Sequence, residues 1–286
     1  MIWEYSLNNH VYDQGNGPTW ISGIGQCKRK PDSFKEECIN AAQMIYDRSD
    51  KPVYVFASGG RDSLFALNCF KEAGINFKAL IMSWEELNYH DNMHAMALCE
   101  DLNIDTEIIS FDIIPYIESG NLYHQAKELK SWAHQIPPIV EIIKNLDGIP
   151  VLCNGDPFFV NFSEQRFWYD LEVLHVFRKW MTNNMIKGIP EFYKYTPEQL
   201  LSFSQELNVN GNSREIKYEL YNKYYNFTVN EKYDGWEKIK KLYPDLIHNL
   251  LNQMKKIKLK HNGVYLIEKG TMEDYLHVGY SPHLNT

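Results

Sequence analysis

The chain has 286 residues, 44% of them hydrophobic and 23% charged, with a formal net charge of -8. That suits one large domain, or one domain with a smaller attachment, around a buried core. The acidic total counts against a general nucleic-acid binder, though not against a local basic groove, and no apolar run approaches the ~20 residues of a membrane span.

Residues 1–5 and 19–24 read as short strands around the turn-rich stretch 13–18. Pro31-Asp32-Ser33 then reads as a helix start, and residues 34–46 keep Phe34, Cys38, Ala41, Ala42 and Ile45 at helical spacing. From there strands and helices alternate. Residues 53–57, 77–82, 106–111 and 150–153 read as strands; 63–73, 93–102, 123–132 and 138–144 read as helices. Such alternation predicts an α/β fold, a parallel sheet with helices on both faces. It spans residues 34–160, after an N-terminal extension of residues 1–33.

After residue 160 the pattern changes. Residues 164–185 form a long aromatic segment that reads as helix, and 197–206, 213–225 and 242–258 follow as helices. Residues 263–267 and 275–280 read as a terminal β-hairpin. Residues 161–286 are thus expected to form a mostly helical, substrate-side region. The aromatics (19 Tyr, 14 Phe, 7 Trp) are core-filling residues first, with a stacking surface as the alternative.

The five cysteines, Cys27, Cys38, Cys69, Cys99 and Cys153, include no CxxC pair and are odd in number. That argues against a disulfide framework and a structural zinc site. Cys69 and Cys99 sit in apolar helical patterns, as buried small hydrophobes do. With no basic-then-apolar signal at the start, the expected setting is cytoplasmic and reducing.

The segment that carries chemistry is Ala57-Ser58-Gly59-Gly60-Arg61-Asp62-Ser63, a Gly-rich turn from strand to helix. Consecutive glycines let the backbone approach an anion closely. Amides around them form a nest for phosphate oxygens, and the helix adds its N-terminal amides and dipole. Ser58 and Ser63 offer hydroxyls, and Asp62 can hold Mg2+. The loop also follows the first strand of the sheet, at the carboxyl edge where ligands of such sheets bind. A plain βα turn is the alternative on composition.

The string SGGxDS after a strand resembles the PP-loop of the N-type ATP pyrophosphatases. That family includes asparagine, GMP and NAD synthetases and tRNA-modifying adenylylating enzymes. There is no Walker A string of the GxxxxGK type. Three further stretches resemble the asparagine synthetase branch: the entry region 34–63, the helix at 91–102, and Val151-Leu152-Cys153-Asn154-Gly155-Asp156. The last stands where that branch has SGDGADE. Here Pro157-Phe158-Phe159 replaces the second acidic contact, with Glu164 as a substitute.

The resemblance implies an adenine nucleotide alpha hydrolase-like, Rossmann-like fold that binds ATP and Mg2+. Ala57, Ser58, Gly59, Gly60, Asp62, Ser63 and Gly155 would line the nucleotide, and backbone near Phe56 and Met82 would flank adenine. Asp62 and Asp156 would be metal ligands. Arg61 and Arg166 are the candidate catalytic cations beside Asp62, and Arg178 and Lys179 could also reach the site from the helix after residue 164. The implied reaction activates a substrate oxygen by adenylylation, releases pyrophosphate and forms an amide- or amidine-type bond.

Candidate partners are a small-molecule acceptor, a nitrogen donor and a second copy of the chain. A separate glutaminase joins them, because Ile2 follows Met1 where a fused glutaminase would place cysteine. The alternatives are a nucleobase- or tRNA-modifying enzyme and a non-catalytic ATP- or AMP-binding subunit. Lys238, Lys240, Lys241, Lys255, Lys256, Lys258 and Lys260 would serve nucleic acid, but they read first as solvated faces. His90, Asp91 and His94 lie together without an evident third metal ligand, so a structural or substrate-contact role is expected.

Overall fold

The computed structural model describes residues 11–13, 20–22, 27–131, 133–154, 158–162, 165–206, 213–227, 235–257 and 264–266. Strands β1 (Val11–Asp13) and β2 (Trp20–Ser22) pair antiparallel. Helix α1 (Phe34–Asp47) starts where the sequence placed it: the Ser33 hydroxyl accepts the Glu36 N–H at 3.3 Å. Its buried face is the predicted one, Phe34, Cys38, Ala41, Ala42 and Ile45, with Glu37 added. Glu37 is buried because Arg29 grips both its carboxylate oxygens, at 2.7 and 2.6 Å.

Then come β3 (Val53–Phe56), α2 (Arg61–Glu72), β4 (Lys78–Ser83), a 3-10 turn (Glu85–Leu87), α3 (Tyr89–Asp101) and β5 (Asp105–Ser110). Helices α4 (Ile113–Glu118), α5 (Asn121–Leu129) and α6 (Ile136–Asn145) lead to β6 (Ile149–Val151). The four strands form one parallel sheet in the order β5-β4-β3-β6. The α/β expectation of a parallel sheet with flanking helices holds. β3 is buried almost throughout, as its unbroken apolar run requires of a strand covered on both faces. It lies between β4 and β6, so the chain reverses its winding there, and the loop after β3 opens at the switch point.

The second half departs from its helical reading. Residues 164–185 are not one helix. β7 (Phe158–Phe162) and β8 (Gln165–Leu171) form an antiparallel pair, and only α7 (Glu172–Asn183) is helical. Phe167, Trp168 and Tyr169 are strand formers, and aromatic density alone does not separate a strand from an apolar helix face. β9 (Val264–Leu266) pairs with β8, and the predicted second arm of its hairpin, 275–280, lies outside the described residues, as does the strand at 1–5.

Helices α8 (Pro197–Glu206) and α9 (Ser213–Tyr224) follow the prediction. Sequence reading missed α10 (Gly235–Leu242) and placed the helix after it at 242–258, where the structure has α11 (Pro244–Met254). Pro244 sits in the first turn of α11, where its missing N–H costs nothing. Among the described residues, no helix is long and apolar enough to cross a membrane.

The largest core joins residues on both sides of residue 160. Phe65 of α2 stacks on Tyr221 of α9, with ring centroids 4.3 Å apart, and on Phe34 of α1 at 5.8 Å. Tyr193 and Phe203 complete this aromatic cluster. A second core packs α10 and α11 against Trp84, Ile113 and Leu122. Both fasten the C-terminal helices over the carboxyl edge of the sheet.

Glu206, at the end of α8, ties that helix to α1 and α9. It accepts the Phe34 N–H, the Tyr224 hydroxyl and, at 2.7 Å, the Lys223 ammonium. Burial raises its pKa, but these three donors outweigh burial and hold it below the ordinary glutamate range. Its stabilisation is therefore complete above that range and disappears as pH falls through the lowered value. Glu206→Gln is expected to cost about 1 kcal/mol at pH 7. Urea melts of both proteins should show the gap closing as pH falls below the ordinary glutamate range.

Candidate active site

The turn after β3 is shaped by two different glycines. Gly59 is buried with φ +74°, in the left-handed region. A Cβ there would overlap the backbone carbonyl oxygen of Asp91, so α3 crosses directly over the turn. Gly60 has ordinary extended dihedrals (φ -78°, ψ 157°) and is the N-cap of α2, with no side-chain cap bond. The first turn of α2 thus presents its backbone amides without a side-chain cap, as an anion-binding helix end does.

Ser63 braces the turn from inside. Its buried hydroxyl donates to the Gly60 carbonyl at 2.8 Å and accepts the Ser58 N–H at 3.2 Å. The hydroxyl proton expected for phosphate is spent on the loop itself in this arrangement. Ser58 is exposed at the rim, and Ala57 is buried, its N–H donating to the Leu80 carbonyl at 2.8 Å to prolong the β3–β4 ladder.

Helix α9 closes on the turn. The Lys217 ammonium, 3% exposed, lies 2.7 Å from Asp62 Oδ1, and the Tyr221 hydroxyl donates to the same oxygen at 3.0 Å. Asp62 keeps 32% of its side chain exposed. The Arg61 guanidinium lies over the Tyr218 ring, 4.7 Å from its centre. From below, the Tyr193 hydroxyl donates to the Asp62 carbonyl. Burial first, then the nearby Cys153 and Asp62, push the Tyr193 phenol well up, so it stays protonated as a donor.

Sequence reading placed Arg61 and Asp62 here but missed Lys217, Tyr218, Tyr221 and Tyr193. The usable signal was Lys217 and Tyr221 at i, i+4, on one face of a predicted helix. Nothing local says which loop that face meets.

The end of β4 forms the other wall. The Met82 carbonyl accepts the side-chain amides of Asn88, at 2.8 Å, and Asn92, at 3.1 Å. Both its lone pairs are therefore engaged, and a base beside Met82 would meet the neighbouring backbone instead. Asn88 also accepts the Trp84 N–H at 2.7 Å. Trp84 packs edge-on against Trp236, which meets His134 at 4.5 Å.

The histidine-aspartate group divides. The Asp91 carboxylate accepts the Gly235 N–H at 2.9 Å and anchors α10, while the His90 and His94 rings meet edge-on at 5.6 Å.

The candidate cations fare differently from one another. Arg166 lies on β8, paired with Asn161, and not on the helix expected to deliver it. Arg178 is on α7 but buried, ion-paired with Glu191, which also meets Lys194 at 3.6 Å. It is thus an interior charge and not the solvated one its residue type suggested. Lys238 donates to the Glu86 carbonyl at 2.6 Å and Lys240 meets Glu237 at 3.8 Å. Gly155, Asp156 and Glu164 lie outside the described residues.

All five cysteines are free, and Cys69 and Cys99 are buried as expected. Burial, reinforced by the Asp62 charge, pushes the Cys153 thiol far up, which keeps it un-ionised beside the loop.

A magnesium site can be tested on this donor set. Among the described residues, no group of three or more His, Cys, Asp or Glu side chains could hold a metal by itself. Asp62 is a single, partly exposed carboxylate beside an anion-binding helix end. Mg2+ commonly binds through one or two carboxylates completed by substrate phosphates, so the residues fit an ion that arrives with a nucleotide.

No family model matches the chain, and neither does any curated protein. Among solved structures, it is similar to an NH3-dependent NAD synthetase from Campylobacter jejuni at 16% identity and TM-score 0.33, over 79% of this chain and 94% of that one. The U34-tRNA thiolase NcsA from Methanococcus maripaludis matches at 13% identity and TM-score 0.34, over 78% and 79%. An NMN synthetase from Francisella tularensis matches at 16% and 0.31, over 76% and 94%. The chemistry of the site rests on its own residues.

Proposed function

We propose that the chain binds ATP at the β3–α2 turn and adenylylates an oxygen of a small-molecule acceptor. The observation that carries this reading is the Ser58–Ser63 turn itself: a left-handed Gly59 and a Gly60-started helix without a side-chain cap, at the switch point of a parallel sheet. Asp62 stands in the first turn of that helix and Arg61 beside it.

In the proposed reaction the acceptor oxygen attacks the α-phosphorus, and the bond to the β-phosphate oxygen breaks. Pyrophosphate leaves with that electron pair. A nitrogen nucleophile, ammonia or an amine, then displaces AMP and forms an amide- or amidine-type bond. The turn amides and the α2 N-terminus bind and orient the phosphates. Lys217 and Arg61 supply positive charge beside them, and catalysis of this kind is positioning plus charge neutralisation. Asp62, with Asp156 as a second candidate, would hold Mg2+, which when bound offsets phosphate charge.

The test is product analysis. Purified protein with ATP, Mg2+ and panels of carboxylate or carbonyl acceptors and amines is expected to yield AMP and pyrophosphate in equal amounts. ADP and orthophosphate as products would sink the reading.

A further inference from the structure

We infer that Lys217 is a positioning residue that keeps metal off Asp62 until a nucleotide arrives, so that metal and nucleotide load together. The inference rests on the proposed ATP site and deepens it. Its basis is one contact: a 3% exposed ammonium lies 2.7 Å from Oδ1 of the carboxylate proposed to ligate a cation beside the turn. The Tyr221 hydroxyl donates to that same oxygen, so Oδ1 already carries a cation and a hydrogen bond.

A divalent ion arriving alone would have to displace Lys217 or sit against it. Two cations within a few ångströms of each other, in a partly desolvated site, repel strongly. Lys217 is also poorly placed to withdraw by itself. It is packed under the Tyr218 and Tyr221 rings, with its nitrogen 5.4 and 5.9 Å from their centres, and Tyr221 is stacked on Phe65.

Nucleotide phosphates change the balance. They bring several negative charges to the α2 N-terminus, next to Asp62. One ammonium and one metal ion can then both find anions. Arg61 stacks on Tyr218 and belongs to the same α9 contact, so entry of phosphates rearranges the two cations together. The device makes metal affinity conditional on nucleotide.

The test is Mn2+ binding, read by electron paramagnetic resonance of the free ion, with and without ATP. Wild type without nucleotide should bind Mn2+ weakly at this site. Lys217→Met should bind it about 10-fold tighter or more, since the competing charge is gone. Lys217→Arg should stay weak, because it restores a cation. Asp62→Asn added to Lys217→Met should abolish the gain. Met roughly matches the lysine stem, and Asp62 keeps access to water. If Lys217→Met does not fold, Lys217→Gln is read in the same way.

Equal Mn2+ affinity in wild type and the neutral variant overturns the inference and leaves the ATP reading standing, provided that calorimetry shows wild type binding Mg-ATP. Failure of wild type to bind ATP at all overturns both.

Discussion

Asp62→Ala is expected to abolish ATP-dependent pyrophosphate release and to destabilise the fold by about 3 kcal/mol. Two separate losses produce these effects. The first is functional: the carboxylate in the first turn of α2 is the described residue that can hold a cation next to phosphates bound at that helix end. The second is structural. Lys217 is 3% exposed, and removal of Asp62 takes away a carboxylate oxygen that lies 2.7 Å from its buried ammonium. Taking one counter-ion from a buried charge costs more than the contact contributed, because its desolvation is then offset less well. Asp62→Asn keeps the shape and a dipole, so its cost should be smaller, about 1–2 kcal/mol. Asp62→Asn combined with Lys217→Met removes both charges and should recover most of the stability without recovering activity. Urea melts beside pyrophosphate assays on the same preparations separate the two losses. Stability returning together with activity in the double variant would refute the metal role of Asp62.

This split explains what was legible in the sequence. The turn could be read because its requirements are local: a buried strand, two glycines, an acidic residue in the first helical turn and a serine brace all fall within eleven residues. The parallel sheet was legible for a similar reason, since buried strands such as Val53–Phe56 keep unbroken apolar runs. The partner of Asp62 was not. Lys217 is one of two lysines on a helix that also carries three tyrosines, and nothing in that pattern singles it out; its place at the turn comes from the Phe65–Tyr221 stacking that brings α9 there. The strands β7 and β8 were hidden because a dense aromatic run shows no clear period of two, although Phe, Trp and Tyr favour strands. Helix α10 was missed because its eight residues carry only Trp236, Ile239 and Leu242 as an apolar spacing, too short a run to stand out. Ser63 teaches a different point. Its hydroxyl was expected to face a phosphate, yet the structure turns it inward to Gly60 and Ser58, where it shapes the turn.

The two glycines of the turn should respond differently, and Gly59→Ala carries the second large effect. At φ +74° any side chain is strained by about 1 kcal/mol. The added Cβ would also overlap the Asp91 carbonyl, which is backbone and cannot rotate aside. Either the turn must lift or α3 must retreat, and retreat would pull on the Asp91–Gly235 hydrogen bond that anchors α10. We expect a stability loss of about 3 kcal/mol in urea melts and loss of measurable ATP binding by calorimetry. Gly60→Ala is the informative contrast. Its backbone is extended at φ -78°, a conformation that alanine adopts freely, although alanine is a poorer N-cap than glycine. Gly60→Ala should therefore cost only about 1 kcal/mol, well short of Gly59→Ala. Its ATP affinity should nevertheless fall, because a methyl group would stand where phosphate oxygens approach the backbone. An unchanged ATP affinity in a stable Gly60→Ala protein would show that Gly60 serves only the bend. The phosphates would then have to be held by the α2 amides and the cations Arg61 and Lys217 alone.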